Sequence, residues 1–512
     1  MLRKIGRAQA FLSLASGAAL ALCLPKPGLC LLAWIAPAFL LFFASRAASA
    51  GAAAVLGALF GYAYCLVSLF WIYSTCRFAG VPFPLAVLVV NALAAFLAVN
   101  WALYGAAVRW TGEKLPAAAL PWAWAALWAA LESASAHWTP RVGVDLLAYT
   151  QYRFLYLIQI GALLGPHALG FAIMLWNGAL VEFFCGTRDI RYRRNLAAAG
   201  ALVVLFGAYG AAVLASRQSD AGTAGGVRVE ILQPNIDQYQ KWDENYELAI
   251  RSIFNDLLDR RREGAPGLVV WPESALPGWL DDPRNPRWAS SWAQKLGAPM
   301  LVGAVSEQIA GKRNLAVFFG ADGAAAGYYH KRRLVPFGEF VPLRGLLEGW
   351  IGILAQMGDF DAGTSRQPLL EAAGLRLAAN ICYEAVFPHL LRLDSARGAR
   401  VFVNLTNDGW YKDTAGPHQH FYTNMFRAVE NRVTVLRAAN TGISGAIDPY
   451  GVVLARTELG ARTRLDLRLP AGDPFPRGSL FSRTGDVFGF ACMFAAVMIF
   501  AWPALAARRR RK

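Results

Sequence analysis

With 512 residues, 56% of them hydrophobic, and a mean hydropathy of +0.34, the chain is too apolar for an ordinary soluble protein and long enough for two or more domains. The formal net charge of +16 invites a nucleic-acid reading, but much of it sits in short breaks between apolar stretches and in the terminal RRRRK, where it suits anionic lipid head groups. Nucleic-acid binding is set aside on that ground, and partial embedding in a membrane is expected.

Stretches of about 17–25 apolar residues, enough to cross a hydrocarbon core of about 30 Å as a helix, recur from residue 8 to residue 215 and once more near the end. Eight spans are expected, near Ala8–Leu24, Gly28–Ser45, Gly51–Tyr73, Leu85–Val108, Leu115–Leu131, Phe154–Phe184, Leu196–Ala215 and Val487–Leu505. The sixth is overlong and contains Gly165-Pro166, which points to a kinked or interfacial first part rather than one straight span. The first follows Arg3, Lys4 and Arg7 in the manner of a secretory signal, yet Leu22 precedes Cys23 where a lipoprotein signal wants a small residue. It is expected to stay on the protein.

Basic residues are retained on the cytoplasmic side of a bilayer. With the N-terminus inside, Arg3, Lys4, Arg7, Arg46, Arg109, Lys114, Arg188, Arg191, Arg193, Arg194 and the tail 508–512 fall in the cytoplasm, against Lys26, Arg77, Arg141 and Arg153 in the short outer loops. Both termini are then cytoplasmic. The expected organisation is a transmembrane domain with seven spans (1–216), an extracytoplasmic domain of globular composition (217–483), and a final helix with a basic tail (484–512).

Six of the seven cysteines lie in or beside expected spans, and Cys382 is alone in 217–483, so no disulfide framework is expected there. A lone thiol in an oxidising compartment is either a core residue or a reactive group. Short β-rich runs mark the domain at Val227–Gln233, Leu268–Trp271, Met300–Val305, Leu315–Gly320, Leu375–Cys382, Val401–Leu405, Val433–Ala438 and Ile443–Ile447, with helical patterns at Tyr246–Arg262 and His418–Asn431. This interleaving indicates an α/β domain with buried sheets. Three apolar runs end on polar residues, placing Glu273, Lys331 and Cys382 where α/β folds gather their chemistry.

Singly, each has an ordinary explanation: a surface acid, a basic loop, a core thiol. Together, Trp-Pro-Glu-Ser at 271–274, Lys-Arg-Arg-Leu-Val-Pro-Phe-Gly-Glu at 331–339 and Asn-Ile-Cys-Tyr-Glu at 380–384 resemble the Glu-Lys-Cys signature of the nitrilase (carbon-nitrogen hydrolase) superfamily. Asn-Leu-Thr-Asn-Asp-Gly-Trp at 404–410 and Gly-Pro-His-Gln-His at 416–420 are similar to the apolipoprotein N-acyltransferase branch. The resemblance implies an αββα sandwich for 217–483 beside the polytopic helical part. It also implies residence in the bacterial cytoplasmic (inner) membrane, with the catalytic domain on the periplasmic face.

The implied chemistry is ping-pong acyl transfer. Cys382 attacks the ester of a phospholipid, Glu273 takes the thiol proton, and Lys331 with the backbone N–H of Tyr383 meets the oxyanion. The thioester then passes its acyl group to the α-amine of a diacylated apolipoprotein. Glu339 and Glu384 match positions that place further carboxylates near the lysine; a structural ion pair is the other reading of each. Trp242 matches an aromatic position associated with substrate handling, with core packing as its alternative.

His418 and His420, spaced i and i+2, would share a metal on a strand, but no third ligand is evident, and neither a metal nor another cofactor is expected. The apolar stretch 343–357, which contains Leu347, Trp350, Ile351, Ile353 and Leu354, reads either as a segment dipping into the outer leaflet or as a core helix. The chain is expected to act as a monomer. A membrane-tethered amidase, in which water takes the thioester, shares the same three residues and remains the alternative activity.

Overall fold

The computed structural model describes residues 5–138, 142–185, 190–217, 226–260, 264–308, 311–342, 344–347, 359–469 and 478–509. Its contacts divide the chain into two compact units. One comprises residues 1–217, 414–430 and 479–512, the other 218–413 and 431–478.

The first unit is helical. Its N-terminal part runs through α1 (Arg7–Ala21), a short 3-10 turn (Cys30–Trp34), α2 (Ala36–Ser45), α3 (Ala50–Ser68), α4 (Trp71–Phe78), α5 (Phe83–Lys114) and α6 (Leu120–Trp138). Then come α7 (Leu155–Ile158), α8 (Gly161–Leu164), α9 (His167–Cys185) and α10 (Ile190–Ala215). The expected stretch 154–184 is indeed broken: Gly165 takes a positive φ of 77°, and Pro166, lacking an N–H, separates α8 from α9. The stretch expected at 51–73 also breaks, between α3 and α4. Among the described residues four helices, α3, α5, α9 and α10, are long and apolar enough to cross a membrane. Glycines let α1, α3 and α5 approach closely: a Cβ on Gly17 would lie 2.0 Å from the Phe60 carbonyl oxygen, and one on Gly57 would lie 2.1 Å from that of Trp101.

The second unit holds two six-stranded sheets. Five strands of the first are β1 (Val227–Gln233), β2 (Leu268–Val270), β3 (Met300–Ser306), β4 (Arg313–Phe319) and β5 (Ala325–His330), with helices α11 (Glu247–Asp259) and α12 (Arg284–Leu296), and its sixth strand comes from the end of the unit. After α13 (Arg344–Leu347) come β6 (Leu370–Ala372), β7 (Leu375–Ile381), α14 (Pro388–Ala396), β8 (Val401–Thr406), β9 (Thr434–Ala439), β10 (Gly445–Ile447), β11 (Val453–Arg456) and β12 (Thr463–Leu469). Strand orders are β12-β1-β2-β3-β4-β5 and β11-β10-β9-β8-β7-β6. Helix α15 (Ala415–Asn431) interrupts the chain between β8 and β9, and α16 (Leu480–Thr484) and α17 (Val487–Arg509) end it.

Side-chain alternation explains the layers. Leu268 and Val270 of β2 face a core shared with Leu377, Ala379 and Ile381 of β7, whereas Val269 and Trp271 face Phe254 of α11 and Trp292 of α12. The two sheets therefore stack face to face, with helices over the outer face of the first. The eight strands expected from sequence are the eight interior ones. The four not expected, β5, β6, β11 and β12, are the sheet edges; β6 and β11 are short, and β12 carries charges along one face.

Helix α15 lies within the expected 217–483 stretch yet packs with the first unit. Gln419 there accepts from Trp71 Nε1 at 3.0 Å and donates to the Ser68 carbonyl at 2.9 Å, and Arg427 donates to the Tyr149 hydroxyl at 3.0 Å. His418 and His420 are on this helix, not on a strand. At about 100° per residue their side chains point to different faces, so the shared-site spacing is lost. Of the apolar stretch 343–357, residues 344–347 form α13, and Trp350, Ile351, Ile353 and Leu354 lie outside the described residues.

Candidate active site

Strands β1, β2 and β3 run parallel, and β5 regains their direction after two antiparallel pairings, so β2 and β5 end at the same edge of the first sheet. Glu273 follows β2 and Lys331 follows β5. Cys382 follows β7 in the second sheet, and the sandwich brings the three together. Each is buried: exposures are 6% for Glu273, 1% for Lys331 and 6% for Cys382.

Lys331 Nζ donates to Glu273 Oε1 at 3.2 Å and to Glu339 Oε1 at 2.7 Å. Asn314 Nδ2, from β4, spans the same two oxygens at 2.7 and 2.8 Å. Glu339 is anchored in turn by the Val335 N–H at 2.9 Å on Oε2. The second oxygen of Glu273, by contrast, accepts no hydrogen bond among the described residues.

Burial works against the Lys331 ammonium, but Glu273, Glu339 and the thiol of Cys382 outweigh it and hold the proton on more tightly than usual. The Cys382 thiol is pushed up to about 12, first by burial and then by the negative charge of Glu273, against the opposing pull of Lys331. Burial and the nearby carboxylate thus disfavour a thiolate at neutral pH.

Backbone strain gathers at the same place. Cys382 has φ of +51°, Ser274 beside Glu273 has +47°, and Phe337 in the lysine loop has +60°. Such left-handed residues other than glycine cost about 1–3 kcal/mol each and persist where surrounding structure holds them. For the Glu273 turn that support includes Gly303 of β3. A Cβ there would sit 2.2 Å from the Pro272 carbonyl oxygen, so only glycine lets β3 lie against the turn.

Glu384 does not engage Lys331. Its two oxygens accept from the backbone N–H groups of Arg332 (2.6 Å), Arg333 (3.1 Å) and Ile381 (2.7 Å) and from the Tyr329 hydroxyl (2.6 Å). It fastens the lysine loop to the end of β7. Tyr383 is half-buried with its ring edge-on to Phe387 at 4.9 Å. Trp242 is 45% exposed and tilts against Trp279 at 5.9 Å, so it is not a core residue.

Sequence profiles agree with this architecture. The carbon-nitrogen hydrolase family matches residues 230–466, and the apolipoprotein N-acyltransferase N-terminal domain matches residues 16–179. The apolipoprotein N-acyltransferase of Geobacter metallireducens is 34% identical over 99% of this chain and 96% of its own length. That of Azotobacter vinelandii is 32% identical, covering 87% and 86%. The chain belongs to the apolipoprotein N-acyltransferase family. Among solved structures, a CN-hydrolase superfamily protein of Xanthomonas campestris is similar over 48% of this chain and 91% of its own, at 21% identity and a TM-score of 0.39.

The candidate site of this acyltransferase family member also has a polar floor whose residues the sequence did not single out one by one. Thr406, at the end of β8, hydrogen-bonds Cys382 and donates to Asp408 Oδ1 at 3.2 Å. Asp408 pairs with the fully buried Arg437 at 2.7 Å. Arg437 also donates to Asn404, whose Nδ2 donates to the Cys382 carbonyl at 3.3 Å. These residues belong to the Asn-Leu-Thr-Asn-Asp-Gly-Trp motif or pair with it, and a polar residue on a buried strand was the available signal. Among the described residues no cluster of three or more His, Cys, Asp or Glu could hold a metal.

Proposed function

We infer that this acyltransferase moves a fatty acyl group from a phospholipid, through a thioester on Cys382, to the α-amine of the N-terminal S-diacylglyceryl cysteine of an apolipoprotein. The observation that carries the mechanism is the division of the Glu273 carboxylate: Oε1 is fixed by Asn314 and Lys331, and Oε2 accepts no hydrogen bond among the described residues. In the first half-reaction the thiol proton passes to Glu273 as sulfur bonds to the ester carbon, and the negative oxygen is met by Lys331 and the Tyr383 N–H. Collapse expels the lysophospholipid alcohol, which takes the proton from Glu273. In the second, the amine gives a proton to Glu273 while attacking the thioester. Amide forms and the proton returns to the sulfur.

The membrane arrangement belongs to the same reading. Eight spans, both termini in the cytoplasm and residues 217–483 on the periplasmic face of the inner membrane put the site beside the outer leaflet, supported by the apolar helices and the bias of Lys and Arg in the loops. One chain supplies Glu273, Lys331 and Cys382, so a monomer suffices.

The test is covalent labelling. Full-length protein in detergent with acyl-labelled phosphatidylethanolamine should gain hydroxylamine-sensitive label on Cys382, and a diacylated lipopeptide should discharge it as amide. Cys382→Ala should lose the label and stay folded, because little volume is removed. Failure to label wild type would refute the phospholipid donor, and discharge to water at a rate indifferent to lipopeptide would favour the amidase.

Trp242→Ala should lower kcat/KM for the phospholipid by about tenfold with no loss of thermal stability, because the exposed ring offers a contact surface of roughly 1–3 kcal/mol. Unchanged kinetics in a steady-state assay would remove Trp242 from substrate handling.

A further inference from the structure

Lys241 stands one residue before Trp242 in the loop that follows β1, and it is only 4% exposed. A buried ammonium is normally paired with a carboxylate. Here Nζ donates instead to the main-chain carbonyl oxygen of Glu273, at 2.9 Å. Among the described residues no carboxylate oxygen lies within salt-bridge distance of it.

The loop holds Lys241 in place. Asn440 bonds both the N–H and the carbonyl of Ile236, at 3.0 and 2.8 Å, and Asn407 donates to Gln238. The target is equally fixed, because the strained Ser274 sets the Glu273–Ser274 peptide and Gly303 lets β3 close against the other side. Turning that peptide would swing the Glu273 carboxylate away from Asn314 and Lys331.

We propose that Lys241 is a positioning residue for Glu273, and that its protonated side chain locks the Glu273–Ser274 peptide in the orientation that presents the carboxylate to Cys382. The proposal rests on Glu273 being the base. It gives the enzyme a dependence on pH that the catalytic trio does not produce. Burial pushes the Lys241 ammonium down to about 8, with Glu273 acting in the opposite direction. Glu273 is the charged group that bears on it. In its own loop Asp237 faces Lys412 at 3.5 Å and Asp243 accepts from Asn245 at 3.0 Å.

The sign follows directly. Below about 8 the lysine is charged and the turn is locked; above it the charge-assisted bond weakens and acylation slows. Ionisation of the Cys382 thiol would speed attack as pH rises, and Lys331 keeps its proton beyond the ordinary lysine range, so neither yields a falling limb there.

The experiment is rapid-quench acylation of full-length protein by labelled phosphatidylethanolamine across about pH 6–10, for wild type, Lys241→Met, Lys241→Arg and Glu273→Gln. Wild type should lose rate above about pH 8. Lys241→Met, of similar length and suited to a buried site, should be slower at neutral pH by about 10–100-fold and lack the limb. Lys241→Arg, which keeps its charge, should shift the limb upward. A Lys241→Met variant with the wild-type rate and limb, while Glu273→Gln is inactive, overturns the proposal alone; an active Glu273→Gln overturns the base assignment and the proposal with it.

Discussion

Replacing Glu273 by Gln is expected to slow thioester formation at Cys382 by about 10²–10⁴-fold without unfolding the protein. The amide oxygen can still accept from Asn314 Nδ2 and Lys331 Nζ, which now hold Oε1 at 2.7 and 3.2 Å. Its NH₂, in the place of Oε2, cannot take a proton. The thiol, pushed up to about 12, then has no base to help it. A second readout should move the other way. The charge of Glu273 is, after burial, what keeps the thiol protonated, so in Glu273→Gln the alkylation of Cys382 followed against pH should titrate lower than in wild type. A thiol that ionises more easily in an enzyme that reacts more slowly is the signature of a lost base. Wild-type acylation in the variant, measured by quenched labelling, would remove Glu273 from the mechanism.

The trio was legible because each member breaks a pattern. Apolar runs that end on Glu273, Lys331 and Cys382 gain nothing in packing from those residues, and a lone thiol had no disulfide to explain it. Interior strands were legible for a related reason: both flanks are hydrogen-bonded and both faces covered, so β3 and β8 are buried along their whole length and mostly apolar, and β1 is buried from Val229 on. The edge strand β12, Thr-Arg-Leu-Asp-Leu-Arg-Leu, keeps period two, but its charged face hides it among loops.

Residues whose task depends on tertiary approach left no such mark. Lys241 reads as one more basic residue before an aromatic, and nothing local says that its ammonium ends on the carbonyl of residue 273. Asn314 lies within a strand and Arg437 within another, and only the strand order inside each sheet brings them to Glu273 and Asp408. Glu132, His167 and Asp486, isolated in apolar stretches of the helical unit, likewise meet only in the fold, His167 reaching Glu132 at 3.1 Å and Asp486 at 3.4 Å. Glu384 was legible as a motif residue with two readings, a carboxylate beside the lysine or a structural ion pair, and its approach to Arg332 at 3.9 Å fits the second. The structure gives it the lysine's neighbours.

That role makes Glu384→Gln the substitution with the largest expected effect on stability. The carboxylate is fully buried and accepts four hydrogen bonds, two on each oxygen. Burial disfavours its charge, and Arg332, the Tyr329 hydroxyl and the backbone donors of Ile381 and Arg332 work to keep it. An amide supplies acceptors at one end only. Whichever way it is turned, its NH₂ faces two donors, either Arg332 and Arg333 or Tyr329 and Ile381, and both lose their acceptor in a site closed to water. Leaving such groups unmatched should cost about 3–5 kcal/mol. For a unit of this size that corresponds to melting lower by roughly 6–20 °C. Because Ile381 immediately precedes the strained Cys382, and Arg332 immediately follows Lys331, the same change should loosen nucleophile and cation together. Acylation should therefore fall with stability, and Glu384→Asp, one methylene too short to span both loops, should not restore it. Thermal melting of the detergent-solubilised protein with parallel labelling decides the matter: a wild-type melt with lost labelling would mean that Glu384 acts on the chemistry directly rather than as the fastening between the two loops.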